Sequence, residues 1–70
     1  RERQQVREAL LSLTEDQRQV IMLRFYEAWS HEETAEALGK SVEATRALQH
    51  RALERLRSKL LPVRGSGETQ

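Results

Sequence analysis

Residues Trp29 to Leu60 read WSHEETAEALGKSVEATRALQHRALERLRSKL, and the rest of the chain is organised around this stretch. The spacing predicts a short helix, a tight turn at Gly39-Lys40 and a longer basic helix. Ser30 stands where an N-cap belongs and Glu33 follows three residues later, the pattern of a capping box. Trp29, just before the cap, is placed to pack on the Thr34 methyl. Ala35 and Leu38 form the inward face. Gly39 ends the helix, because a left-handed residue costs glycine little. Ser41 is a second N-cap, with Glu43 at the positive end of the helix dipole. Val42, Thr45, Leu48, Ala52, Leu56 and Leu60 recur at three or four residues, so one stripe of the last helix faces inward.

That arrangement is a helix-turn-helix, with a second helix shaped to enter a DNA groove. Counting from His31, the fifth position is Ala35, the ninth Gly39, the fifteenth Thr45 and the eighteenth Leu48. A small fifth residue lets the helices cross, the ninth makes the turn, and the other two pack the second helix on the first. Thr45 is the soft spot, since Val or Ile would pack better there. A plain helical hairpin also needs a small residue and a glycine, so charge has to be weighed with spacing.

Seventy residues with Lys and Arg numbering 12, Asp and Glu 11, carry a formal net charge of only +1. The distribution says more than the sum. From Thr14 to Leu38 the acids Glu15, Asp16, Glu27, Glu32, Glu33 and Glu36 face only Arg18 and Arg24. From Ser41 to Leu60 the bases Arg46, Arg51, Arg55, Arg57 and Lys59 face only Glu43 and Glu54. A basic stripe confined to one helix is the electrostatic footprint of a nucleic-acid reader. Basic residues toward a helix C-terminus also suit the dipole.

A chain this short forms one domain with one small core. It has no cysteine, so neither a disulfide framework nor a thiolate metal site is expected, which fits a reducing cytoplasm. No apolar run approaches the roughly 20 residues that span a bilayer, and no signal peptide is recognisable. The first residue is Arg1 rather than Met, which points to a piece of something longer or a processed chain.

The N-terminal segment to Leu11 reads as a polar helix with Val6, Ala9, Leu10 and Leu13 on one side. Ser12-Leu13-Thr14 is the break, and Thr14 with Gln17 forms another capping box. Glu15 and Asp16 suit the first turn. The helix from Gln17 to Glu27 carries VIMLRFY, apolar nearly all round, and is therefore central or shared with a partner. A buried strand over Val20 to Tyr26 is the competing reading, and the Thr14 cap argues against it. Ala28 stands where glycine is expected; if left-handed it costs on the order of 1 kcal/mol. Pro62 breaks the last helix. The expected architecture is all-α: a four-helix domain over residues 1–61 with a C-terminal helix-turn-helix, then a flexible tail over 62–70.

On a helix starting at Val42, the face opposite the core stripe carries Glu43, Arg46, Ala47 and His50, with Arg51 beside them. Arg46 and Arg51 suit bidentate contacts to guanine O6/N7, each worth about 1–3 kcal/mol of discrimination, or phosphate. His50 suits a base or phosphate, Ala47 a thymine methyl, and Glu43 a cytosine N4 or simply the helix N-terminus. Arg55, Arg57 and Lys59 lie too far along for more than phosphate. Lys40 and Arg24 are weaker backbone candidates. Catalysis is not expected: Glu32 and Glu33 point to different sides, His31 reads as a first-turn surface residue, and no cluster completes a metal site. No cofactor and no small-molecule substrate is expected.

With those residues in view, LTEDQRQVIMLRFYEAWSHEETAEALGKSVEATRALQHRALERLR resembles domain four of a bacterial sigma factor of the extracytoplasmic-function group. The resemblance rests on Leu13-Thr14-Glu15, Arg18 with Val20-Ile21 and Leu23-Arg24, the run from Ser30 to Ala35, Leu38-Gly39, and Arg46 with His50-Arg51-Ala52 and Leu56-Arg57. It covers roughly Arg7 to Leu60. It implies binding to the −35 element of promoter DNA within RNA polymerase holoenzyme, with positions Arg46, Ala47, His50 and Arg51 touching DNA. It also implies docking on the flap of the polymerase β subunit and masking by an anti-sigma factor. Leu23, Phe25, Tyr26, Trp29, Leu56, Leu60 and Leu61 exceed what a small core needs, so some are expected to form that partner surface. The chain departs from the family pattern at Ser41 for proline, Thr45 for Val, Leu48 for a basic residue, Thr34 for Ile and Ala28 for Gly. Two alternatives stay open. One is the helix-turn-helix output domain of a response regulator, which usually carries Val-Lys-x-His where Thr45-Arg46-Ala47-Leu48 stands. The other is a helical protein-interaction bundle with no DNA role, in which Arg46 and Arg51 would pair with acids such as Glu43 and Glu54.

Overall fold

The computed structural model describes residues 2–60. The expectations for Leu61, Pro62 and the tail to residue 70 lie outside them. Four helical elements follow one another: α1 (Glu2–Leu11), α2 (Glu15–Ile21), α3 (His31–Leu38) and α4 (Val42–Leu60). A π-helical turn, Met22–Tyr26, continues α2. The strand considered for Val20 to Tyr26 is therefore helix throughout.

The starts of the helices are set by local chemistry. Thr14 Oγ1 accepts from the Gln17 amide at 3.2 Å while the Gln17 side chain accepts from the Thr14 amide at 3.1 Å. Ser30 and Glu33 make the same reciprocal pair at 3.0 and 2.9 Å. Ser41 Oγ accepts from the Ala44 amide at 3.0 Å at the head of α4. Each cap satisfies backbone donors that the helix itself cannot.

The ends differ. α1 stops at Leu11, where the Ser12 hydroxyl donates to the Ala9 carbonyl. The Arg18 guanidinium then donates to the Leu10 and Leu13 carbonyls, both at 3.3 Å, so α2 seals the end of α1. α3 ends on Gly39 at φ +67°, with the Lys40 amide bonded back to the Ala35 carbonyl at 2.9 Å. This is a Schellman-type closure, and a glycine suits its left-handed residue.

The π turn has its own version of that closure. The Glu27 amide donates to the Met22 carbonyl, five residues back. Ala28 is left-handed at φ +60°, and the Trp29 amide reaches the Leu23 carbonyl, six residues back, at 2.8 Å. The wider ring places the closing bond one residue further back than in α3. The regular helix expected to run to Glu27 is thus a regular helix to Ile21 with a wide last turn.

α4 packs against α1, α2 and α3 and is the centre of the domain. Leu13, Ile21 and Ala52 form the core cluster, with Leu10 and Leu56 packed against it. Ala9, Val20 and Ala35 are also buried. The small side chain of Ala35 suits the close approach that the helix-turn-helix spacing requires, and Ala52 packs closely on Leu13 and Ile21. Thr34 and Thr45 are both fully buried. Each hydroxyl donates to the carbonyl of its own N-cap serine, Thr34 to Ser30 at 2.8 Å and Thr45 to Ser41 at 2.9 Å. Burying a hydroxyl is costly only when it lacks a partner, so the two positions that looked like packing faults are satisfied within their own helices. Two expected core residues lie further out: Val6 on α1 and Leu60 at the end of α4 are exposed.

Candidate nucleic-acid interface

The turn at Gly39-Lys40 sends α4 away from α3 with its inward stripe already fixed by Thr45, Ala52 and the half-buried Leu48 and Leu56. The opposite face follows from the helical period. On it, Glu43, Arg46, His50 and Arg51 are exposed and Ala47 is half-buried. These five positions span little more than two turns from the N-terminal end of the helix, the part that reaches base edges in a helix-turn-helix. Arg55, Arg57 and Lys59 continue the exposed basic run.

The charge pairing on this face is sparse. His50 Nε2 lies 4.0 Å from Glu54 Oε2, one turn along. Arg46 and Arg51 take part in no ion pair among the described residues, so the pairing with Glu43 or Glu54 that an interaction bundle would require is not made. Lys40 behaves differently. Its ammonium sits 3.4 Å from Asp16, joining the helix-turn-helix turn to the first turn of α2. A partly exposed pair of this kind contributes little stability.

Arg24 and His31 hold positions the sequence did not disclose. Arg24 Nε donates to Gln49 Oε1 at 3.1 Å, and its NH1 group donates to the Trp29 carbonyl. His31 Nε2 meets the same Gln49 oxygen at 3.1 Å. Arg24 is thus committed inside the domain rather than extended toward a phosphate, and His31 is half-buried rather than a simple surface residue. No periodicity marks this cluster, because its members are 18 and 25 residues apart in the chain.

The apolar surplus is distributed unevenly. Phe25 and Tyr26, on the π turn, are 55% and 77% exposed. Leu60 is exposed as well, while Leu23, Trp29 and Leu56 are half-buried. Trp29 lines a shallow groove with Glu33, Glu36 and Ala37. A second groove runs along α4 past Leu53, Leu56 and Leu60. No described helix is long and apolar enough to cross a membrane.

Comparison with known proteins bears on the same span. The family described as Sigma-70, region 4 matches residues 9–58. The chain is 47% identical over 53 residues to an RNA polymerase sigma-E factor of Streptomyces antibioticus, covering 76% of this chain and 29% of that protein. It is 47% identical over 49 residues to the ECF RNA polymerase sigma factor ShbA of Streptomyces griseus, covering 70% and 26%. It is 43% identical over 54 residues to the ECF RNA polymerase sigma factor SigD of Mycobacterium tuberculosis, covering 77% and 26%. The chain therefore spans less than a third of the length of these relatives. No solved structure matches it. With its four helical elements, capped turn and basic final helix, the chain belongs to the sigma-70 region 4 family, in the extracytoplasmic-function group.

Proposed function

We propose that the chain binds the −35 element of promoter DNA through α4, as the fourth-region module of a sigma factor that directs RNA polymerase to begin transcription. The observation that carries this reading is the outward face of α4, where Arg46 and Arg51 are exposed and outside any ion pair among the described residues. Arg46, Ala47, His50 and Arg51 would supply the base and phosphate contacts, and Glu43 the N-terminal edge of the readout. Lys40 would reach phosphate only by giving up Asp16, so its contribution is to salt-dependent affinity rather than to sequence choice.

The polymerase β-subunit flap, and an anti-sigma factor that masks the same surface, are the protein partners of this reading. Phe25 and Tyr26 offer the exposed aromatic area for them, with Leu23, Trp29, Leu56 and Leu60 alongside. Such a protein works where RNA polymerase does, in the cytoplasm. It performs no catalysis of its own and needs no cofactor.

The test is selection from a randomised duplex library at low salt, with the chain and with Arg46→Ala plus Arg51→Ala. Enrichment of one short motif that disappears in the double variant supports the reading. Binding without enrichment reduces it to phosphate attraction. Absence of binding, even when the chain is fused to a polymerase-docked partner, refutes it.

A further inference from the structure

Besides Thr45, the inward stripe of α4 contains a residue that packing alone would not choose. Gln49 lies four residues after Thr45 and three before Ala52, both fully buried. An apolar residue at this position would continue the stripe. Instead a half-buried amide stands there, and its oxygen receives both Arg24 Nε and His31 Nε2 at 3.1 Å. Arg24 can only donate, so the amide atom facing it is the oxygen. That oxygen has two lone pairs, and His31 must therefore carry its hydrogen on Nε2 to fill the second. Three separate pieces of the domain meet at one atom: the π turn through Arg24, the first residue of α3 through His31, and the middle of α4.

The surroundings make this junction matter. The buried residues of α3, Thr34 and Ala35, and the buried Thr45 near the head of α4 are small, and both threonine hydroxyls are bonded within their own helices. The core at Leu13, Ile21 and Leu56 sets the rotation of α4 coarsely, but among the described residues the only side-chain hydrogen bonds joining α4 to another helical element are those at Gln49. Hydrogen bonds are directional, weakening steeply as the donor angle closes. Gln49 supplies two of them, three residues after Arg46 and immediately before His50.

We infer that Gln49 is a positioning residue, which fixes the rotation of α4 through Arg24 and His31 and so determines which base edges Arg46, His50 and Arg51 address. This rests on the proposal that α4 reads DNA, and the experiment separates the two. The 70-residue chain is compared with Gln49→Met, which keeps length and removes the acceptor, and with Gln49→Glu, which keeps an acceptor oxygen at the same reach. Three quantities are read: thermal stability, the orientation of α4 relative to α3 from residual dipolar couplings without DNA, and the ratio of affinity for the selected duplex to that for a scrambled one.

Gln49→Met is expected to fold, to turn α4 against α3, and to lower the affinity ratio about tenfold, the equivalent of one lost charge-assisted hydrogen bond. Gln49→Glu is expected to keep both the orientation and the ratio. An unrotated α4 with an unchanged ratio in Gln49→Met overturns the inference while leaving DNA reading intact. So does Gln49→Met that fails to fold beside a folded Gln49→Glu, since the amide would then be a stability element. Failure of Gln49→Glu to keep the orientation overturns it too. If the parent chain selects no sequence, even when fused to a polymerase-docked partner, the promoter reading falls, and the couplings alone decide: a rotated α4 in Gln49→Met upholds the positioning role and an unrotated one ends it.

Discussion

Ala28→Gly should make this domain more stable, and by a predictable amount. Ala28 is held at φ +60° in the closure of the π turn and is exposed, so its methyl group buries nothing that the substitution would lose. The left-handed conformation costs an L-residue roughly 1–2 kcal/mol. Against that relief stands the greater freedom of glycine in the unfolded chain, about 0.4–1 kcal/mol. The difference spans about 0 to 1.6 kcal/mol, and its central value is a gain of roughly 0.5–1 kcal/mol. At this chain length that raises the midpoint of thermal unfolding by roughly 2–8 °C. Gly39 provides the mirror experiment at φ +67°, where an added Cβ would meet no atom within 4 Å. Gly39→Ala should therefore lower the midpoint by a similar amount, for backbone reasons alone. Circular dichroism melts of the three proteins at one concentration and pH decide the matter. A midpoint for Ala28→Gly at or below the parent value, with Gly39→Ala lowered as expected, would refute a left-handed Ala28.

Other substitutions isolate single features. Ser30→Ala removes the side-chain half of the α3 cap and should cost about 1 kcal/mol in denaturant melts; an unchanged midpoint would mean that α3 is held by packing alone. Thr45→Val deletes a hydroxyl whose acceptor, the Ser41 carbonyl, still receives the Thr45 amide at 3.0 Å, so stability should stay within about 1 kcal/mol of the parent or rise. A larger loss in that melt would show that the hydroxyl supports more than its own helix. Phe25→Ser with Tyr26→Ser should leave the melt nearly unchanged because both rings are largely exposed, while abolishing capture of a polymerase flap segment in a pull-down. Retained capture would remove the π turn from the partner surface.

The readable parts of this chain are those decided within a few residues. Thr14, Ser30 and Ser41 announce helix starts because a cap is a bond between neighbours three residues apart, and Gly39 announces the turn because few other residues tolerate it. The face carrying Arg46, Ala47, His50 and Arg51 follows from the same local period once the inward stripe is known. The π turn was not legible, since VIMLRFY is apolar nearly all round and gives the helix no clear phase from which a wider turn would depart. Ala28 carried the only trace of it, as an alanine where a glycine was wanted. Arg24 read as a backbone-phosphate candidate and His31 as a surface residue because the amide they share is brought near only by folding. Lys40 likewise gave no sign of Asp16, which is remote in sequence.

The two buried threonines have a consequence for how such a domain can change. Because each hydroxyl is answered by the serine that opens its own helix, neither threonine depends on the other helix for a polar partner. Each threonine can therefore be exchanged together with its own cap, while Ala52 and Leu56 keep the core contacts of α4. A lineage could swap α4 wholesale, cap and threonine together, for one bearing a different outward face without leaving an unmatched hydroxyl inside the crossing. New target sequences would then be reachable by exchange of a single cassette from Ser41 onward, provided residue 49 still meets Arg24 and His31.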